Sequence, residues 1–389
     1  MRKKMILLAL TLFIGLSACG NDDKELPDEP GKEQGGNGGD EPESPDNPSG
    51  NEPVSWYVAT TGNDGNSGTL DSPLKSISKA LLRVNPGDTI FLREGAYHEF
   101  VTPTRSGEKG KLITLKSYPG ETAKIDGTGM TIKGWFSALV QLKSVQYMTF
   151  ENLHICNATN SDVNTDPEGV YINGVSRDIT FRNCKVYNIK STCLAGHNNG
   201  DWRSAHAFLV IGDDNGTPIR NLTIEKCEIY DMHTGTSETL TIAGNVDGFT
   251  IQDCEVHDVE NIGIIVAGGD NLNAGGNISV NYARNGVVRR NKVYRCSHQV
   301  SKDFWEGVYN NPAAYGAIGI YVCGGASTII EQNLVCRLLL EKTSGKVSRH
   351  PTVLERHKTQ IVFSNDFVHT QTDCPQTRME PYIEKQFLH

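Results

Sequence analysis

Residues 178–187 read DITFRNCKVY, and the same phrase returns as NLTIEKCEIY at 221–230 and as GFTIQDCEVH at 248–257. Each copy is a short alternating apolar run, a polar pair, a cysteine and a second alternating run. Looser copies precede and follow: YMTFENLHIC (147–156), GVVRRNKVY (286–294) and TIIEQNLVC (328–336). Aligning the penultimate apolar residue gives Ile155, Val186, Ile229, Val256, Val293 and Val335, at steps of 31, 43, 27, 37 and 42 residues. Period-two alternation repeated on this scale is the mark of stacked β coils, a solenoid. Solenoid repeats span about 20–45 residues, so the longer steps imply loops carried on a constant frame.

Two positions before the aligned row stand Leu153, Cys184, Cys227, Cys254, Asn291 and Asn333. This predicts an inward ladder, thiols packing as small apolar groups and amides hydrogen-bonding along the stack. The chain has ten cysteines but no CxxC and no compact Cys/His set with zinc spacing. A disulfide between adjacent coils stays open.

A further row aligns as EGVYING (168–174), HAFLVIG (206–212), ETLTIAG (238–244), IGIIVAG (262–268) and IGIYVCG (318–324). The residue before each small one is Glu168, His206, Glu238, Ile262 and Ile318. Adjacent coils lie about 4.8 Å apart, so two carboxylates would sit roughly 9–10 Å apart with an imidazole between. Strict alternation would send these groups inward beside Leu240 and Ile242, at great cost if unpaired. The expectation is that they lie in a turn, where alternation fails, as an exposed Glu–His–Glu column. In a lyase, His206 would be the base, or Glu168 and Glu238 would hold Ca²⁺. In a hydrolase, Glu168 and Glu238 would be acid and base, near the inverting separation of about 6.5–9.5 Å. A polar ladder without chemistry is the third alternative. Trp202 and Arg203 beside His206 suggest a sugar-stacking ring and a carboxylate fork. Arg284 is a further uronate contact or a turn ion pair, and 270–286 and 297–316 have the polar, aromatic make-up of substrate loops.

The opening of the repeat region is WYVATTGNDGNSGT (56–69), SPLKSISKAL (72–81) and PGDTIFLREGAYHE (86–99). With DPEGVYING, SETLTIAGNVDGF, NIGIIVAGG, ARNGVV and NPAAYGAIGIYVCGG, it resembles bacterial right-handed parallel β-helix proteins of the pectate-lyase superfamily, near pectate lyase family nine. The resemblance covers about residues 55–335. It implies an all-β fold, a right-handed parallel β-helix with a short N-terminal capping helix. It also implies β-elimination on an acidic, uronate-containing polysaccharide of pectin type, with a glycan binder or an inverting hydrolase as the alternatives. Relatives' GID and DGIYVDGG stand here as GII (263–265) and IGIYVCGG (318–325), so three expected carboxylates are Ile265, Ile318 and Cys323. The DGFAxK motif with its lysine base is absent, and that mechanism does not carry over residue by residue.

The ends differ in kind. Arg2, Lys3 and Lys4, the apolar run 5–16 and LSAC at 16–19 form a secretory signal with a lipobox-like end, which makes Cys19 the lipid-bearing residue. Residues 19–54 are acidic, Pro/Gly-rich and almost free of apolar side chains, a solvated tether. The expected location is the outer-membrane surface, held through that lipid, as a monomer. Of 46 acidic and 37 basic residues, the tether takes 11 and 2 and the signal three basic ones, leaving 32 minus 35, or −3. Without a basic stripe, nucleic acid is not an expected partner. Beyond Cys336 the repeat stops, and residues 336–389 read as a cap or as a segment foreign to the fold.

Overall fold

The computed structural model describes residues 52–162, 164–193, 204–268, 280–297 and 318–336, and the backbone of 361–364. Within them the strands form three parallel sheets of nine, eight and seven members. One coil runs from Arg177–Arg182 in the first sheet to Lys185–Ser191 in the second and His206–Gly212 in the third. The next follows as Ile219–Glu225, Glu228–His233 and Glu238–Gly244. The coils pair in register, Phe181 with Ile224, Val186 with Ile229 and Phe208 with Leu240. Each return to the same sheet is a crossover between parallel strands, which strand twist makes right-handed. The fold is the right-handed parallel β-helix.

The interior is filled by stacked like residues. Phe150 and Phe181 stack at 4.6 Å, and Phe208 meets Phe181 edge-on at 5.2 Å. All three are fully buried, each worth about 1.5–3 kcal/mol in transfer terms. The predicted ladder is present. Cys184, Cys227 and Cys254 are buried free thiols, whose Sγ–H groups donate to Phe150 O, Phe181 O and Ile224 O at 3.5, 3.7 and 3.5 Å. Asn291 then donates from Nδ2 to Ile251 O and Asn333 Oδ1, both at 3.0 Å, and accepts the Cys254 N–H at 2.9 Å.

The corner between first and second sheets is tight in six successive repeats, because one residue there is left-handed. Asn152, Asn183, Lys226, Asp253, Arg290 and Gln332 have φ between 52° and 56°. Asn and Asp accept this conformation readily, whereas Lys and Arg do so at a cost of about 1–2 kcal/mol. Arg290 offsets it with a two-bond contact to Asp253, 2.7 Å at both Nε and Nη2. The other two corners vary in length. Second joins third by residues 161–166 in one coil, 192–205 in the next and 234–237 in the one after.

At the N-terminal end the expected helix is Ile77–Arg83, burying Ile77, Ala80 and Leu81, with Ser76 Oγ accepting the Lys79 N–H at 3.2 Å. At the other end the backbone of Ile361–Ser364 pairs with Ile320–Cys323 and adds a seventh strand to the third sheet. The remainder of 337–389, the signal and tether including Cys19, and Trp202 and Arg203 lie outside the described residues. Replacing Asn291 by Ala strands the Cys254 N–H and removes the donor to Ile251 O in the interior, while Asn333 Oδ1 keeps the residue-291 backbone N–H. Equilibrium denaturation should show a loss of about 2–4 kcal/mol, against about 1 kcal/mol for Cys227→Ala.

Candidate functional site

Glu168, His206 and Glu238 come together on the third sheet. Glu168 and His206 are register partners in Pro167–Asn173 and His206–Gly212, and Glu238 opens the following strand. The expected turn is therefore wrong, since all three residues lie within strands. Alternation nonetheless fails at this point. A Cβ on Gly169 would lie 2.8 Å from Val186 Cγ1 and one on Gly319 2.3 Å from Val335 Cγ1, so this row faces the interior. Its successors Val170 and Phe208 are interior too, as is Ala207. Two consecutive inward residues turn the preceding acid or imidazole away from the core.

Facing away from the core does not expose them. Glu168 is 0% and His206 5% exposed, and only the Glu238 side chain is partly open at 17%. The expected exposed column is thus a mostly buried one. The His206 Nδ1 stands 3.0 Å from both Glu168 oxygens, and its Nε2 stands 3.9 Å from Glu238 Oε2. Thr241 Oγ1 donates to Glu238 Oε2 at 3.4 Å. An equidistant nitrogen fits an Nδ1–H shared by both carboxylate oxygens, which fixes the tautomer and leaves the Nε2 lone pair toward Glu238. Burial draws the imidazole below its ordinary value, against the pull of Glu238 and Asp166, and keeps it neutral. Burial also pushes Glu168 well above the ordinary carboxyl range, opposed by the His206 backbone N–H. Burial opposes charge on both groups, and the Nδ1–H shared between its two oxygens offsets that cost for the Glu168 carboxylate.

A third acid joins the group. Asp166 is 3% exposed, and burial, helped by the nearby Glu168 and opposed by His206, pushes its carboxyl up to about 7. It precedes Glu168 by two residues, and continuing the period-two pattern back from EGVYING would have found it. Trp135 was hidden because Ser137–Lys143 has too little likeness to the other rows of this sheet. Its indole is 60% exposed, while Phe136, at φ 55°, turns its ring onto Tyr171 at 5.4 Å. Further along the column Ile262, Ile265 and Ile318 form an apolar cluster apart from the main core, so the polar site ends at Glu238.

Arg284 is not part of it. Its guanidinium lies at the corner of third and first sheets, 3.0 Å from Asn245 Oδ1 and 3.4 Å from Asp247 Oδ2, the turn ion pair rather than the uronate contact. Calcium does not fit the column either. It takes 6–8 oxygens, whereas both Glu168 oxygens face one imidazole nitrogen. Among the described residues no three His, Cys, Asp or Glu side chains are arranged to hold a metal. We derive no step through calcium.

A family model described as Pel9A-like, right-handed beta helix region, matches residues 56–286. The chain belongs to this family. As a Pel9A-like β-helix it is 31% identical over 280 residues to the uncharacterized protein YwoF of Bacillus subtilis, covering 72% of this chain and 55% of YwoF. It is 30% identical over 142 residues to pectate lyase PEL9 of Emericella nidulans, 33% of each chain. It thus spans about half of one curated relative and a third of the other. Among solved structures, the GH136 lacto-N-biosidase of Eubacterium ramulus superposes with a TM-score of 0.53 at 18% identity, over 74% of this chain and 52% of that one. That likeness is one of fold.

The Asp166 carboxyl gives a stability signature. Folded, it holds its proton to about 7, against an ordinary 3.8, so the folded state binds more protons across that interval and its stability falls as pH rises through it. Asp166→Asn removes this loss. Thermal or urea unfolding should find the variant more stable than wild type at pH 8, by about 2–4 kcal/mol, and the two equal near pH 3.

Proposed function

We propose that the protein is a polysaccharide lyase that cleaves an acidic, uronate-containing polymer of pectin type by β-elimination. The observation that carries this is the Glu168–His206 pair, a neutral imidazole fixed by a buried carboxylate with Nε2 free toward the open side of the column. Glu168, fully buried, does not reach a substrate, which removes it as a hydrolase's acid or base. It is a positioning residue. His206 Nε2 takes the C5 proton, the C5–H electrons form the C4=C5 bond, and the C4–O bond breaks. Glu238, the most open of the three, takes that proton as a carboxylate from Nε2 across the 3.9 Å gap and passes it to the leaving oxygen. Trp135 offers a flat apolar face to a sugar ring. The kinship with PEL9, a pectate lyase by name, supports a uronate polymer as substrate.

The test is ultraviolet absorbance during incubation with polygalacturonate, rhamnogalacturonan and chondroitin, which reports the unsaturated uronate. Wild type should produce it; His206→Ala should lower kcat by about 10²–10⁴, and Glu168→Gln, which disturbs the tautomer, by a similar factor. New reducing ends without absorbance would sink the lyase in favour of a hydrolase. No product at all from folded protein that still retains polymer would make it a binder.

The anchoring is proposed with it: a lipid on Cys19 and the 19–54 tether hold a monomeric β-helix at the outer-membrane surface. Cys19→Ala should move the protein from the membrane fraction to the soluble one, and an unchanged membrane fraction would refute the anchor.

A further inference from the structure

The proposed elimination leaves one need unmet. As C5–H is broken, negative charge builds on the uronate carboxylate, and something must stabilise it there. The carboxyls of Asp166, Glu168 and Glu238 gather around His206, and ionised together they would repel an acidic sugar.

We propose that Asp166 binds the substrate's carboxylate as a neutral acid, donating its carboxyl hydrogen to that group. The inference rests on the lyase reading above. Asp166 is 97% buried, its carboxyl makes no hydrogen bond among the described residues, and neither of its oxygens is among the sealed unpartnered atoms, so the small exposed part of the residue is the carboxyl itself. Its backbone is fully tied, the N–H to Gly134 O at 3.2 Å and the carbonyl to the Ser137 N–H at 3.0 Å. Those two bonds bracket Trp135 and Phe136, so the carboxyl belongs to the same small structure that turns the exposed indole outward. A carboxyl with no partner in the protein and its oxygens at the surface is placed to take a partner from outside.

The charged surroundings favour the neutral form. From the strand it precedes Asp166 meets Glu168, and from the next strand His206, itself neutral. On the other side Ser137–Lys143 sets Ser137 and Ala138 beside Pro167 and Glu168, and neither titrates. Burial in this company holds the Asp166 proton to about 7. A carboxylic acid kept neutral in an apolar site is a known way to place a donor against developing negative charge. The donated hydrogen bond strengthens as the sugar carboxylate gains charge, so it favours the transition state over the bound ground state. No proton leaves Asp166 during the step.

The experiment is a pH profile of polygalacturonate elimination for wild type, Asp166→Asn and Asp166→Ala, each confirmed folded by circular dichroism. Above about 7 the wild-type kcat/KM should fall about tenfold per pH unit. Asn keeps an N–H donor without titrating, so its profile should lose that limb. Ala should lower kcat/KM by about 10²–10³ at pH 6. An unchanged alkaline limb in Asp166→Asn, or an Ala variant within twofold of wild type, overturns the assignment. If wild type eliminates nothing, the lyase reading fails on its own, and trigalacturonate affinity becomes the readout. Binding that weakens about tenfold from pH 6 to pH 8 in wild type, and stays level in Asp166→Asn, upholds Asp166 as the carboxylate's partner. Level binding in both refutes it.

Discussion

Everything in this molecule depends on the hydrogen-bond ladder between successive coils. Parallel strands about 4.8 Å apart leave no freedom in what stands above what. Once Phe181 lies over Phe150 and Val186 over Ile155, every other position of the coil is fixed too. The His206 imidazole can therefore be delivered to Glu168 by residues 38 positions apart, with no local contact to guide it. The interior supplies the energy and the ladder supplies the accuracy.

That accuracy explains why buried acids are tolerated. Glu168 and His206 on the third sheet are partners one coil apart, and burial shifts their proton affinities against charge. The group that accepts no partner, Asp166, is held by its backbone rather than by its side chain. Burial of the rest of that residue beside Glu168 then raises its proton affinity, an effect imposed by the fold.

The sequence was legible where repetition made it so. The alternating phrases name the first and second sheets, the inward ladder and the rank order of Glu168, His206 and Glu238, because each recurs at matched positions. It was not legible where a single residue departs from the repeat. Two consecutive inward residues, Gly169 and Val170, undo alternation, and nothing in their identities says so beyond the smallness of the glycine. The side of the sheet on which the acids lie, and the cover that buries them, are set by three-dimensional packing. Lys226 and Arg290 in left-handed corners are likewise invisible in advance, since neither is a residue that favours that conformation.

The unequal corners have a consequence for how such a protein can change over generations. The first corner is closed by one left-handed residue and keeps a constant length through six successive repeats. The corner between second and third sheets opens directly onto the strands that carry Glu168, His206 and Glu238, and its length already differs from coil to coil. New segments can be spliced in there one storey at a time, each reshaping the approach to the same fixed imidazole. Variation in this architecture is modular, and a lineage can rebuild the approach to the column while inheriting the geometry of Glu168 and His206 intact.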